Sequence, residues 1–317
     1  MPAQKFRRGQ HCPRHSLQHF SVWSALAASL VVASCAPVPK SLPRVAVPLP
    51  PAMVAMVDAG TGGYQLSEFR LSKRAVQGGL TLGRAPTGTL EMSLDRQLMP
   101  FAADGFFLIG FDRDAGVSAR LSAKRAGGSI LETTIAVSAG NWRIENVNAN
   151  PTGGAATSAE FEARRGAELA RINAARATRN SSNGWRQQFI RPVAGRTSGL
   201  FGAQRIYNGM PGSYHSGMDI AAANGTEFVA PADGVVTLAA ANEFTLEGRL
   251  LMIDHGMGLN SAFLHCSELL VREGDVVRQG QVIGRVGATG RASGPHLHWG
   301  MKWNAARIDP ILLIPAD

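Results

Sequence analysis

The chain has 317 residues, a hydrophobic fraction of 45% and a formal net charge of +9 at pH 7, enough apolar material for two packed domains. So basic a chain suits anionic surroundings, either nucleic acid or the surface of a membrane or cell envelope. It contains no recognisable nucleic-acid module and its arginines are dispersed, which sets nucleic acid aside as a partner.

The first residues read as an address. Lys5, Arg7, Arg8 and Arg14 make a basic start with no acidic residue before Asp58, and Phe20 to Val32 is an apolar run too short for a stable membrane span. Residues 1–35 are therefore expected to be an export signal, and its histidines, His11, His15 and His19, carry nothing for catalysis. Its end, Val32-Ala-Ser-Cys35, resembles the bacterial lipobox, in which the cysteine is lipidated and becomes the mature N-terminus. The plainer alternative is an ordinary signal peptide cut near the same small residues. Residues 36–52 contain Pro37, Pro39, Pro43, Pro48, Pro50 and Pro51 and no acid, a composition that favours a stiff extended tether of about 3 Å per residue.

Residues 53–150 read as a small all-β domain. Thr89 to Leu94 alternates apolar Leu90, Met92 and Leu94 with polar Glu91 and Ser93, and Phe106 to Phe111 and Ile130 to Val137 are further short apolar segments between Gly and Asp clusters. This spacing predicts a β-sandwich, immunoglobulin-like in kind, acting as a spacer or packing unit. Residues 151–184 predict a linker helix: Thr157-Ser-Ala-Glu160 has capping-box form, and Phe161, Leu169 and Ile172 follow at helical spacing until Asn180 to Gly184 ends it. Such a helix is expected to pack on one of its neighbours; occlusion of a cleft is the regulatory alternative.

Residues 185–317 lose the helical signal. Gly234 to Leu238, Leu250 to Asp254, Asn260 to His265 and Gln281 to Val286 are strand-like and bounded by turn residues, which predicts an antiparallel β-fold. Two motifs within it carry the chemistry. His215-Ser-Gly-Met-Asp219 and His296-Leu-His298 each place two metal-competent groups on one face if the backbone is extended. Two imidazoles and a carboxylate are a zinc ligand set that leaves a fourth position open for water. His265, in Phe263-Leu-His-Cys266, adds a further imidazole. On a strand its neighbour Cys266 faces away, so Cys266 reads as a small buried apolar residue. His255, in Asp254-His-Gly, reads as a turn residue. Spacing alone leaves open which of His296 and His298 is a ligand.

These motifs, with the Gly-rich phrases at 225–234, 271–284 and 287–290, resemble the lysostaphin/LytM-type zinc metallopeptidases, whose pattern is HxxxD, a strand histidine, then HxH. The resemblance covers about the last 130 residues, and motifs in this order and context are specific. It implies a mainly β catalytic domain with a groove over a central antiparallel sheet. It also implies zinc held by His215, Asp219 and His298, with His265 and His296 as catalytic proton carriers and oxyanion stabilisers. The expected function is a peptidoglycan endopeptidase that cuts peptide cross-links, exported to the periplasm and anchored to the outer membrane through a lipid on Cys35. The rival classes are a non-enzymatic LytM-type activator of cell-wall amidases and a wall-binding lipoprotein; retention of all five site residues argues against the activator.

Overall fold

The computed structural model describes residues 66–149 and 159–315. The export signal, the cysteine at 35, the tether and Thr157 of the capping box lie outside the described residues.

The first strands are β1 (Arg70–Leu71), β2 (Ala75–Val76), β3 (Leu80–Arg84), β4 (Thr89–Leu94), β5 (Gln97–Met99), β6 (Phe106–Gly110), β7 (Ser118–Arg125) and β8 (Ile130–Ser138). They divide into a three-stranded sheet, β1-β3-β6, and a five-stranded sheet, β2-β8-β7-β4-β5, in which β2 runs parallel to β8. The three strands expected from alternation and apolar runs are present. Their burial is less regular than the alternation suggested. Met92 and Leu121 are buried, whereas Leu90, at the start of β4, is 68% exposed.

A ninth strand, β9 (Ile144–Val147), leaves these sheets and pairs in parallel with β11 (Gln204–Tyr207), in the second half of the chain. The two halves share one apolar cluster, which runs from Phe107 and Ile109 to Trp303 and Ile308. Polar contacts fix the same junction: Asp112 accepts from the Tyr214 hydroxyl and the Arg307 N–H, and the buried Arg113 donates to Gly202 O and Gln204. The early β region is packed on the rest.

Helix α1 (Ala159–Ala177) follows. It docks on the strands of the C-terminal half through Ile172 and Ala175, which join Leu238, Ala240, Phe244, Leu250 and Met252 in a second apolar cluster. Leu169, expected on the apolar face, is 40% exposed, while Glu168 is buried. A charged group tolerates such a place only when its oxygens are bonded. Glu168 accepts from Thr245 N at 2.9 Å and Thr245 Oγ1 at 2.6 Å and pairs with Arg164 and Arg165. Burial works against its ionisation, but these donors outweigh it and hold the carboxyl below its ordinary value. Glu168→Ala is therefore expected to cost about 2–4 kcal/mol, read as a lower urea midpoint at unchanged m-value.

The remaining strands are β10 (Thr197–Gly199), β12 (Met210–Pro211), β13 (Met218–Ala221), β14 (Glu227–Val229), β15 (Gly234–Phe244), β16 (Gly248–Asp254), β17 (Leu259–Cys266), β18 (Glu268–Leu269), β19 (Val276–Val277), β20 (Val282–Arg285), β21 (His296–Trp303) and β22 (Ala306–Ile308). The central sheet has the order β10-β13-β21-β17-β16-β15-β19, antiparallel throughout, with β22 on β21. On β21 alternate residues are buried, Leu297, Trp299, Met301 and Trp303 facing the core. That leaves His296 and His298 together on the opposite face.

His255 does sit in a turn, but it is fully buried. Its Nδ1 bonds Asp233 O at 2.8 Å, its Nε2 bonds Ser261 Oγ at 2.8 Å, and Phe189 packs against its ring edge. Burial pushes its pKa down from 6.5 to about 4. As pH falls below 6.5 the unfolded chain takes up a proton there that the folded chain refuses until about pH 4. Stability is expected to fall across that window by up to about 3 kcal/mol. Imidazole nitrogen resonances should show a neutral His255 ring still at pH 5.

Candidate metal centre

Two neighbouring strands bring the site together. In the pairing of β13 with β21, Asp219 stands opposite His298. His215 is not on a strand, contrary to the extended geometry expected for the whole HxxxD segment. It lies in the loop before β13, where His215 N donates to Ala203 O and His215 O accepts from Gly202 N. Close packing at Gly217 excludes a side chain: a Cβ there would come within 2.6 Å of His298 Nε2 and 2.7 Å of Trp299 O. Gly199 is constrained in the same way, since a Cβ would fall 2.3 Å from Asp219 Oδ2.

Three donor atoms converge. His215 Nε2 lies 3.1 Å from Asp219 Oδ1 and 3.1 Å from His298 Nδ1, and His298 Nδ1 lies 2.8 Å from Asp219 Oδ1. These separations are close to the edges of a ligand tetrahedron around an ion with bonds of about 2.0–2.2 Å. The donor set thus fits a metal ion, and it is the only group of this kind among the described residues. The electrostatics agree. Burial raises the Asp219 carboxyl, but hydrogen bonds from His215 and His298 outweigh it and hold the group well below the usual carboxylate range. Burial lowers His215, yet the bond to Asp219 leaves its pKa above 6.5; burial prevails at His298, which is lowered.

His265 and His296 adjoin the triad. Their rings are 4.9 Å apart between centroids, and His296 Nε2 is 3.7 Å from Asp219 Oδ1. Each uses Nδ1 on a backbone carbonyl, His265 on Thr289 O at 2.8 Å and His296 on Gly294 O at 2.8 Å. With Nδ1–H so engaged, Nε2 is the nitrogen left for the cleft. His215 is oriented similarly by Leu200 O at 3.0 Å, which frees Nε2 for the triad. Outer partners of this sort fix tautomer and ring orientation.

Strand alternation does not account for His265. Its φ is +64°, in the left-handed region, and both it and Cys266 are buried. Non-glycine residues held there mark local strain, which clusters at functional sites. The backbone is held by His265 N donating to Glu247 O, in the hairpin loop between β15 and β16 that α1 clamps through Thr245 and Glu247. Cys266 is the small buried residue expected, its thiol pushed up to about 12 by burial.

The open cleft over these groups has a volume of about 470 Å³ and is bordered by Arg291, Ala292 and Ser293. The carbonyls of Leu200, Thr289 and Gly294 and the clamp from α1 were not found by sequence reasoning. The nearest signal for them was the density of Gly and Thr around each histidine.

The class of fold and site is a β-sheet domain with three convergent donors that fit a metal ion and two flanking histidines, and residues 213–310 match peptidase family M23. Over 97 residues the chain is 41% identical to the DD-carboxypeptidase/endopeptidase Mpg of Neisseria meningitidis, a match covering 31% of this chain and 22% of that protein. Over 96 residues it is 40% identical to the peptidoglycan DD-endopeptidase ShyC of Vibrio cholerae, covering 30% and 22%. The chain thus spans less than a quarter of the length of these relatives. A solved structure described as a peptidase M23 from Pseudomonas aeruginosa aligns with a TM-score of 0.59 at 27% identity, over 77% of this chain and 97% of that one. This likeness extends beyond the M23 segment into the preceding β strands.

Proposed function

We propose that the protein is a zinc-dependent endopeptidase that hydrolyses peptide cross-links of bacterial peptidoglycan. The observation that carries this reading is the convergence of His215 Nε2, Asp219 Oδ1 and His298 Nδ1 within hydrogen-bonding distance of one another, beside two histidines whose Nε2 atoms are free for proton transfer. Bound zinc would polarise the scissile carbonyl and lower the pKa of water at the site. The chain supplies the rest. His215, Asp219 and His298 hold the ion. His265, lowered chiefly by burial, is a neutral base at pH 7 whose Nε2 accepts the proton lost by the attacking water and returns it to the leaving amine. His296 Nε2, close to the triad, stabilises the charge that develops on the carbonyl oxygen.

The relatives named as DD-endopeptidases support a D-alanyl-diaminopimelate cross-link as the bond cut, and the charge of +9 suits an anionic wall. We place the protein in the periplasm, exported by residues 1–35 and held to the outer membrane through a lipid on Cys35. The test is mass spectrometry of cross-linked muropeptides after incubation with the zinc-loaded protein, with and without chelator. Chelator-sensitive loss of cross-linked dimers is expected. Intact cross-links together with stimulation of an added amidase would replace this reading with that of an activator.

A further inference from the structure

One face of the central sheet continues from the metal centre into a second cavity. Alternate residues of β21 share a face, so His296, His298, Gly300 and Lys302 lie in a row above the buried Leu297, Trp299, Met301 and Trp303. The register places Leu264, Ala262 and Asn260 of β17 beside His298, Gly300 and Lys302 in turn. Helix α1 forms the opposite wall. Its Arg165, Leu169, Ile172 and Arg176 recur at three- and four-residue intervals and make one stripe. Floor and stripe bound a channel of about 240 Å³ that has His298 and Ser216 at one end and Lys302 and Arg176 at the other.

The far end is chemically unbalanced. Arg176 and Lys302 are half-buried, and neither side chain has a hydrogen-bond or ion-pair partner among the described residues. The acid in the wall, Glu247, is held by both arms of Arg165 at 2.6 and 2.9 Å. Burial lowers the pKa of both cations; Glu247 attracts Arg176 and Asp112 attracts Lys302, but burial and the repulsion among Arg176, Arg307 and Lys302 prevail. Beside Lys302 on the neighbouring strand stands Asn260, 4% exposed, whose Nδ2 donates to Gly258 O at 3.3 Å while Oδ1 accepts from no donor among the described residues. A buried acceptor without a donor is costly unless a ligand supplies one. Two cations without a direct hydrogen-bond partner and a free acceptor are complementary to a carboxylate and an amide N–H.

We propose that this channel is a substrate subsite that seats a peptide carboxylate between Arg176 and Lys302 and an amide N–H of the same peptide on Asn260 Oδ1. The assignment rests on the reading of the metal centre as a peptidase site and adds to it a preference for an acidic group on one side of the scissile bond. From His298 to Lys302 is four strand residues, about 13 Å, so the carboxylate belongs three or four residues from that bond. Gly300 and Ala262 keep the floor low, which admits small side chains such as alanine.

The test is binding to the metal-free full chain, which needs no turnover and so separates this proposal from that of peptidase activity. Tri-D-alanine and its C-terminal carboxamide are titrated by calorimetry and by amide NMR. The wild-type protein is expected to bind the acid at least about tenfold more tightly than the amide. The preference should fall to about onefold in the Arg176→Met, Lys302→Met double variant. Asn260→Asp, which sets a like charge against the ligand, gives an independent check: it should also abolish the preference for the acid. Equal binding of acid and amide by wild-type protein, or an undiminished preference in folded variants, would overturn the subsite whether or not the protein cleaves cross-links.

Discussion

Asp219→Ala is expected to weaken zinc binding by more than about a hundredfold and to lower cross-link hydrolysis by about a thousandfold or more. Loss of an outer partner of a metal ligand already costs about ten- to a hundredfold, and Asp219 is one of only three donors. Its Oδ1 lies 3.1 Å from His215 Nε2 and 2.8 Å from His298 Nδ1, so removal also frees two imidazoles that it now orients. The carboxylate further controls the proton inventory. His215 is held above its ordinary pKa of 6.5 mainly against burial by its bond to Asp219, so the metal-free site retains a proton that zinc must displace. Zinc affinity of the wild-type protein should therefore rise with pH through this range, and the rise should flatten in the variant. Elemental analysis and zinc competition titrations at pH 6 and pH 8 measure both effects. Full zinc occupancy in Asp219→Ala would remove the carboxylate from the ligand set.

The second large effect is at His265, and the choice of substitution matters. With φ at +64° the position is in the left-handed region, where asparagine is tolerated because its short polar side chain can hydrogen-bond locally and alanine has no such compensation. His265→Asn keeps the backbone form and removes the titrating nitrogen. A fall in kcat of about 10² to 10⁴ is expected, the usual contribution of positioned acid–base catalysis, with KM little changed and zinc content equal to wild type. If His265 is the base, the acidic limb of the pH–rate profile should shift or disappear, because burial lowers its pKa from 6.5 in the wild-type protein. A variant that kept kcat within a few fold would transfer the proton role to His296 alone.

The latch between α1 and the β15–β16 hairpin connects these local effects to the rest of the molecule. Glu168 and Arg165 grip Thr245 and Glu247, and the same loop offers Glu247 O to His265 N and Leu246 O to Arg291 N. Loosening α1 therefore reaches both His265 and the rim of the cleft through two hydrogen bonds. Glu168→Ala is in this respect a test of positioning as well as of stability.

Residue types and their order along the chain were enough to mark the candidate site and the strands that carry it: two imidazoles and a carboxylate at fixed spacing, an HxH strand whose side chains must share a face, and apolar runs of strand length. Those features are local, governed by the two-residue period of an extended backbone and by ligand preferences that belong to each side chain. What lay beyond local rules was decided only in three dimensions. His215 reaches the triad from a loop in which Gly217 leaves no room for a Cβ beside His298, His265 takes a left-handed backbone, Glu168 rather than Leu169 is buried on α1, and His255 is sealed in the core. Each of these depends on which distant carbonyl, hydroxyl or guanidinium meets the side chain. Such partners are up to about eighty residues away in sequence, as with Glu168 and Thr245, and no periodicity within a strand or helix encodes them.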